Sequence, residues 1–216
     1  MSPKYFLGKW IYVITALCLL TTEACFAQSL LTNGNFATGD FTGWTLFTTP
    51  NGTIGTPSVT LFDTTDSGDP VLSASFVPGE ITGGGQQGGG IYQYFSLAST
   101  TNLCFSLYTA SYSQYSDADG GTVDVLLDGS LIDQIEFGAI HGTKYGLLST
   151  NIPDVLAGEN ELEILTTRGF GADGATPTPI VYVADVSLSV ETVPEPSVLA
   201  ILGIGAAAYV VLRRKG

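Results

Sequence analysis

The sequence predicts an all-β protein, a two-sheet β-sandwich with jelly-roll connectivity, and three observations carry that expectation. Short runs rich in Val, Ile, Thr and aromatic residues recur between turn residues through the middle of the chain. No stretch there holds an apolar stripe at helical spacing. Val123-Asp124-Val125-Leu126-Leu127 and Ser130-Leu131-Ile132 are joined by Asp128-Gly129, a pair suited to a type I′ hairpin turn, whose two central residues need positive φ. About eleven short strands without helices fit two packed sheets.

Taken in order, strands are expected over 30–36, 42–48, 58–62, 71–76 and 91–97. More follow over 103–111, 122–127, 130–137, 145–152, 161–167 and 180–190. The glycine-rich 83–90 (GGGQQGGG) reads as a flexible loop, and 169–179 as another. The first lacks the Lys-Ser/Thr of a phosphate-binding loop and leads into no helix, so a nucleotide role is excluded.

The two ends differ from this middle. Lys4 and Lys9 precede an apolar run over 10–20, followed by a polar stretch ending at Ala27. That is the layout of a secretory signal peptide over 1–27, cut after Ala27, and it implies export through the Sec translocon. Thr22, Glu23 and Ala24 before Cys25 do not suit a lipidation site. At the other end, Val193, Pro194, Glu195, Pro196 and Ser197 precede an apolar run over 198–212, then Arg213, Arg214 and Lys215. The run is shorter than the roughly 20 residues a spanning helix prefers, a shortfall met by bilayer thinning and snorkelling of the basic tail. The basic cluster belongs on the cytoplasmic side.

These C-terminal residues resemble the PEP-CTERM sorting signal of Gram-negative bacteria: a Pro194-Glu195-Pro196 core, a short apolar helix and a terminal basic cluster, in that order. The resemblance covers only about 193–216. It implies recognition and cleavage by an exosortase, an inner-membrane intermediate held by the apolar helix, and delivery to the cell surface or the extracellular polysaccharide matrix.

Between the ends lies one expected domain, 28–192, long enough for a single core. It holds only Lys144 and Arg168 as cations against eighteen Asp and Glu, a formal net charge of −16. Such a surface repels nucleic acid, which is excluded as a partner. Cys104 is the one cysteine of this stretch, so no disulfide is available within it.

A second resemblance spans most of 31–190. Leu31-Thr32-Asn33-Gly34-Asn35-Phe36, then Gly43-Trp44, looks like the opening of the galactose-binding-like jelly rolls found among carbohydrate-binding modules. Tyr182-Val183-Ala184-Asp185-Val186-Ser187-Leu188 resembles their closing strand, and 91–97 with 103–107 resemble their paired central strands. The resemblance implies a structural calcium between the first and last strands. Ala37 and Ala184 stand where carboxylates would help to hold it, and Asp185 alone falls short of the six to eight oxygens calcium wants.

No residue set marks a catalytic site. His141 is the only histidine, and no serine sits in a nucleophile elbow. Asp117, Asp119, Asp124, Asp128, Asp133 and Glu136 are numerous enough for a glycosidase pair, but strand alternation and a turn account for most of them. Asp117 and Asp119 are the expected metal-binding carboxylates, set against an ordinary Asp/Gly turn. Tyr92, Tyr94, Tyr112 and Tyr115 are the expected carbohydrate-binding residues. Tyr92 and Tyr94 share one face by strand alternation. With Tyr108, the tyrosines of the next strand join them if the two strands pair. Trp44 is expected in the core. The resulting expectation is an exported, non-enzymatic surface or matrix protein that binds polysaccharide and needs no cofactor. The alternatives are a secreted glycan-active enzyme and an adhesive structural protein with no small ligand.

Overall fold

The computed structural model describes residues 29–80, 87–168 and 178–191. The expected signal peptide over 1–27, the sorting signal over 193–216 and its apolar helix over 198–212 lie outside these residues. Residues Gln28–Glu191 form one compact unit.

Strand alternation builds the sandwich. In β11 (Gly158–Arg168), Asn160, Leu162, Ile164 and Thr166 point inward and are buried, while Glu159, Glu161 and Glu163 point outward. The same rule places Ile91 and Phe95 of β6 (Gln87–Leu97), and Val123 and Val125 of β8 (Thr122–Leu127), inside. With β1 (Thr45–Thr48) and β9 (Ser130–Glu136), these form a five-stranded antiparallel sheet in the order β1-β6-β11-β8-β9. The second sheet runs β10-β7-β12-β4-β3. It comprises β10 (Ala139–Val155), β7 (Thr101–Asp119), β12 (Ile180–Val190), β4 (Val71–Phe76) and β3 (Ser58–Phe62). Leu103, Phe105 and Leu107 of β7, Phe76 of β4, and Val181, Val183 and Leu188 of β12 complete a single core cluster with the first sheet. Each fully buried Leu, Ile or Val contributes about 1.5–3 kcal/mol relative to exposure. A two-stranded ladder of β2 (Gly52–Thr53) and β5 (Gly79–Glu80) was not foreseen from sequence.

Only the hairpins β3–β4 and β8–β9 stay within one five-stranded sheet; the other connections pass between layers, which is the jelly-roll habit. Asp128 (φ 49°) and Gly129 (φ 75°) make the expected β8–β9 turn.

Three expectations are corrected. The 30–36 segment is turns, not a strand: Asn33 (φ 55°) and Phe36 (φ 53°) take left-handed conformations that break a ladder. It still docks on β12, with Leu30 N–H on the Leu188 carbonyl at 2.8 Å and Val186 N–H on the Gly34 carbonyl at 2.9 Å. Secondly, Gln87–Gly90 belongs to β6 rather than to a loop. Its glycines are required by close approach: a Cβ on Gly90 would overlap the Ile164 carbonyl oxygen of β11. Thirdly, β6 and β7 lie in different sheets and do not pair.

Candidate functional site: an aromatic corner on the second sheet

Because β6 and β7 are in different layers, the four tyrosines expected to bind sugar are split. Tyr112 and Tyr115 belong to the second sheet, Tyr92 and Tyr94 to the first.

The outer face of the second sheet is rich in aromatic residues. Tyr108 and Tyr112 of β7 point outward, alternating with buried Leu107, Thr109 and Ser111. Tyr145 of β10 lies opposite Ala110, and Tyr182 of β12 flanks Ala110 on the other side. Phe62, at the end of β3, stacks flat on Tyr182 with ring centroids 3.6 Å apart and planes 6° apart. Tyr112 stands 6.5 Å from Phe62 in a tilted contact. Burial, then the nearby Tyr112, pushes the Tyr182 phenol above its ordinary pKa.

Tyr115 reaches this face through a break in the ladder. Ser113 pairs with Gly142 and Ala118 with Ile140, so residues 114–117 of β7 stand against His141 alone. Excess residues on one strand bulge outward and re-aim their side chains. Tyr115 is accordingly 55% exposed although strand alternation from Tyr112 would turn it inward. The bulge is fixed by the Tyr115 N–H on Ser113 Oγ at 3.2 Å and by Asp117 at φ 59°. Tyr112, Ser113, Gln114, Tyr115, Thr178 and Ile180 line a pocket of about 230 Å³ there.

The β3–β4 loop, residues 63–70, walls the same face. Asp63 organises it, accepting the N–H groups of Thr65 (3.0 Å), Ser67 (3.3 Å) and Gly68 (2.7 Å). These bonds, the Thr65 N–H first, hold its carboxyl below the usual range. The Tyr145 phenol is raised by burial first and then by the Asp66 and Asp63 carboxylates, which places this loop beside the opposite edge strand.

Of the expected metal residues, Asp117 sits on the bulge, and Asp119 follows it, paired with Ala139. Asp117 is exposed, and Asp119 accepts the Gly121 N–H at 2.9 Å, closing its own turn. Among the described residues, no three His, Cys, Asp or Glu side chains converge to hold a metal ion. The calcium implied at the first strand does not fit either. The Asn33 side-chain NH₂ donates to the Asp40 and Thr42 carbonyls at 3.0 and 3.1 Å, and its Oδ1 accepts the Thr38 N–H at 3.2 Å. A donor occupies the loop centre, and Asp185 is an exposed bulge residue at φ 48°.

Sequence reasoning missed Phe62, Tyr145 and Tyr182 as members of the aromatic face. Period-two reading of 180–190 would have put Tyr182 outward with Ala184, but nothing in the sequence says that β3 lies near enough for Phe62 to cover it.

Comparison with known proteins adds one firm feature. Residues 192–215 match the PEP-CTERM protein-sorting motif, which marks the chain as exported and sorted to the cell surface. No curated protein matches the chain. Among solved structures, the carbohydrate-binding module TmCBM61 in complex with β-1,4-galactotriose is similar at 13% identity and TM-score 0.48, over 76% of this chain and 100% of that one. The family 22 module of Clostridium thermocellum Xyn10B gives 15% identity and TM-score 0.43, over 73% and 91%. A cyclase from Fischerella sp. TAU gives 13% and 0.44, over 78% and 100%. Sugar binders and a cyclase resemble the chain equally well, so these likenesses decide nothing about its ligand.

Proposed function

We propose that this is a non-enzymatic protein of the cell surface or extracellular matrix, processed by an exosortase, whose sandwich binds neutral polysaccharide at the Tyr112–Tyr115 corner. The observation that carries this reading is the β7 bulge, which brings two tyrosines to one pocket beside the Phe62–Tyr182 stack. Tyrosine presents an apolar ring to the C–H face of a sugar and keeps a hydroxyl for its polar edge. Gln114, Ser113 and Thr178 add hydrogen-bonding groups in the same pocket. At about 230 Å³ it is smaller than the roughly 300–1,000 Å³ of small-molecule sites, which suits a shallow hold on part of a polymer.

The pocket lining contains no carboxylate, whereas glycoside hydrolysis ordinarily uses two. That favours the binding module over the glycan-active enzyme. Affinity electrophoresis through gels containing neutral galactan, xylan or β-glucan tests the reading. The wild type is expected to be retarded by at least one of them. Tyr112→Ala with Tyr115→Ala should weaken retardation by about tenfold, the loss of roughly one aromatic contact's worth of energy or more. Equal retardation of wild type and variant, or none by any gel, would leave the adhesive structural reading instead.

A further inference from the structure

The first sheet has an outer face of its own, on the other side of the sandwich from the pocket. In β6, Tyr92 and Tyr94 point outward between buried Ile91, Gln93 and Phe95. Phe47 of β1 extends the row: it pairs with Gly90, whose missing side chain leaves room, and its ring lies 6.1 Å from Tyr92. Tyr92 and Tyr94 meet edge to face at 5.6 Å and 78°, so together they form a corner rather than a flat floor. Tyr94 is 55% exposed.

Beside this corner runs a row of carboxylates. Glu163 lies directly opposite Tyr92 and Glu161 opposite Tyr94, with Glu159 next along β11. Directly opposed residues stand about 5 Å apart, and alternate residues of one strand about 7 Å. Glu163 is half-buried, and burial followed by the charge of Glu161 raises its pKa. Among the described residues no Lys or Arg serves this face: Lys144 is on β10 of the other sheet, bonded to the Phe137 carbonyl at 2.8 Å, and Arg168 points inward and is buried. The charge missing from the arrangement is therefore positive, and the exposed rings are of the kind that attract it.

We propose that this face binds an amino-sugar polymer, a cationic glycan, with Phe47, Tyr92 and Tyr94 contacting the sugar rings and Glu161 and Glu163 pairing with protonated amines. The ligand is set by charge complementarity: a neutral sugar would leave half-buried Glu163 and its neighbour Glu161 repelling each other, and an acidic glycan would be repelled outright. The site is independent of the Tyr112–Tyr115 pocket and uses a different chemistry.

The test is calorimetric titration of the whole domain with a soluble glucosamine oligosaccharide and with its N-acetylated form. Mildly acidic buffer, well above the usual carboxylate range, keeps the amines protonated. The glucosamine form should bind at least about tenfold more tightly than the neutral form. Tyr92→Ala with Tyr94→Ala, which leaves net charge unchanged, should lose about tenfold in affinity. Glu161→Gln with Glu163→Gln should lose a similar factor. The charge-matched control Asp69→Asn with Asp154→Asn, in the β3–β4 loop and on β10, should lose less than about twofold. Thermal melting of each variant checks that it is folded. Equal binding of both oligosaccharides, full binding by the tyrosine variant, or an equal loss in the control would overturn the proposal, the last leaving only adsorption to net charge. A lysine peptide binding as tightly through the same tyrosines would overturn it in favour of a basic protein segment. The variants leave the residues that line the neutral-polysaccharide pocket untouched.

Discussion

Asn33 ties together the loop at the head of the domain. Its amide donates to two carbonyls and accepts one N–H, and Asp40 ties the far side through Thr38 Oγ1 at 2.7 Å and the Thr42 N–H at 2.9 Å. Asn33→Ala leaves those carbonyls without their donor and should cost about 1–3 kcal/mol. In a domain of this size that lowers Tm by several degrees in differential scanning calorimetry. Millimolar calcium should move the wild-type Tm by less than about 1 °C, since neither this loop nor the Asp117–Asp119 turn offers calcium's six to eight oxygens. A rise of several degrees would assign a cation to one of them. The Asn33 hydrogen bonds were not legible in the sequence, because an Asn-Gly pair reads only as a turn. Trp44 was expected in the core, and it is 7% exposed and stacked on Phe36 at 6.1 Å. Tyr94 offers a second residue-level check. Its hydrogen bond to Glu161, then that carboxylate's charge, pushes its pKa up to about 12. A raised folded pKa means that the interaction stabilises at neutral pH and is lost as pH climbs through the phenol range. Spectrophotometric titration should therefore show a late-ionising group of tyrosines, Tyr145 and Tyr182 among them, that loses one member in Glu161→Gln.

At the scale of elements, most strands were readable because alternation between polar and apolar residues survives in them. β11 is the clear case, with Glu159, Glu161 and Glu163 out and Leu162 and Ile164 in. Reading failed where backbone geometry rather than side-chain pattern decides. The Gly88–Gly90 run carries no hydrophobic signal, yet Gly90 must lie against the Ile164 carbonyl for β6 and β11 to pair. Gly90→Ala should therefore destabilise the fold by about 1–3 kcal/mol in chemical denaturation, a steric cost that outweighs the usual gain in strand propensity. The β7 bulge was equally hidden, since strand alternation is silent about where a partner strand skips residues. Pairing of β6 with β7 was what the family resemblance implied, and the two strands instead lie in different sheets. The β3–β4 loop supplies a pH test at this scale. Asp63's carboxyl is depressed by the N–H groups it accepts, so its stabilising contribution is complete above the usual carboxylate range and is lost as pH falls through its own lowered value. Asp63→Ala should therefore speed amide exchange in residues 63–70 at neutral pH, and wild type and variant should converge in strong acid. A difference that persists in acid would show that the loop is held by something other than this carboxylate.

For the whole molecule, the two proposed surfaces face opposite ways because they lie on the outer faces of two packed sheets about 10 Å apart. A domain with one neutral-glycan and one cationic-glycan surface would join two polymers that do not otherwise adhere, a useful property only outside the cell. The sorting motif over 192–215 is consistent with that destination. Its position makes a definite demand on processing. On the proposed reading, the apolar run over 198–212 and its basic tail would hold the chain to the membrane for as long as they remained attached. Removal near Val193 would free a domain whose formal charge of −16 resists reattachment to anionic lipid. In the native host, intact-mass measurement of the surface and membrane fractions should therefore find a chain shortened at both ends, near Ala27 and near Val193, at the surface. In a strain lacking exosortase activity the C-terminal segment should persist and the protein should stay with the membrane. A full C-terminus in both strains would reduce the segment to a simple anchor. The two glycan surfaces would then act on polymers at the membrane rather than in the matrix.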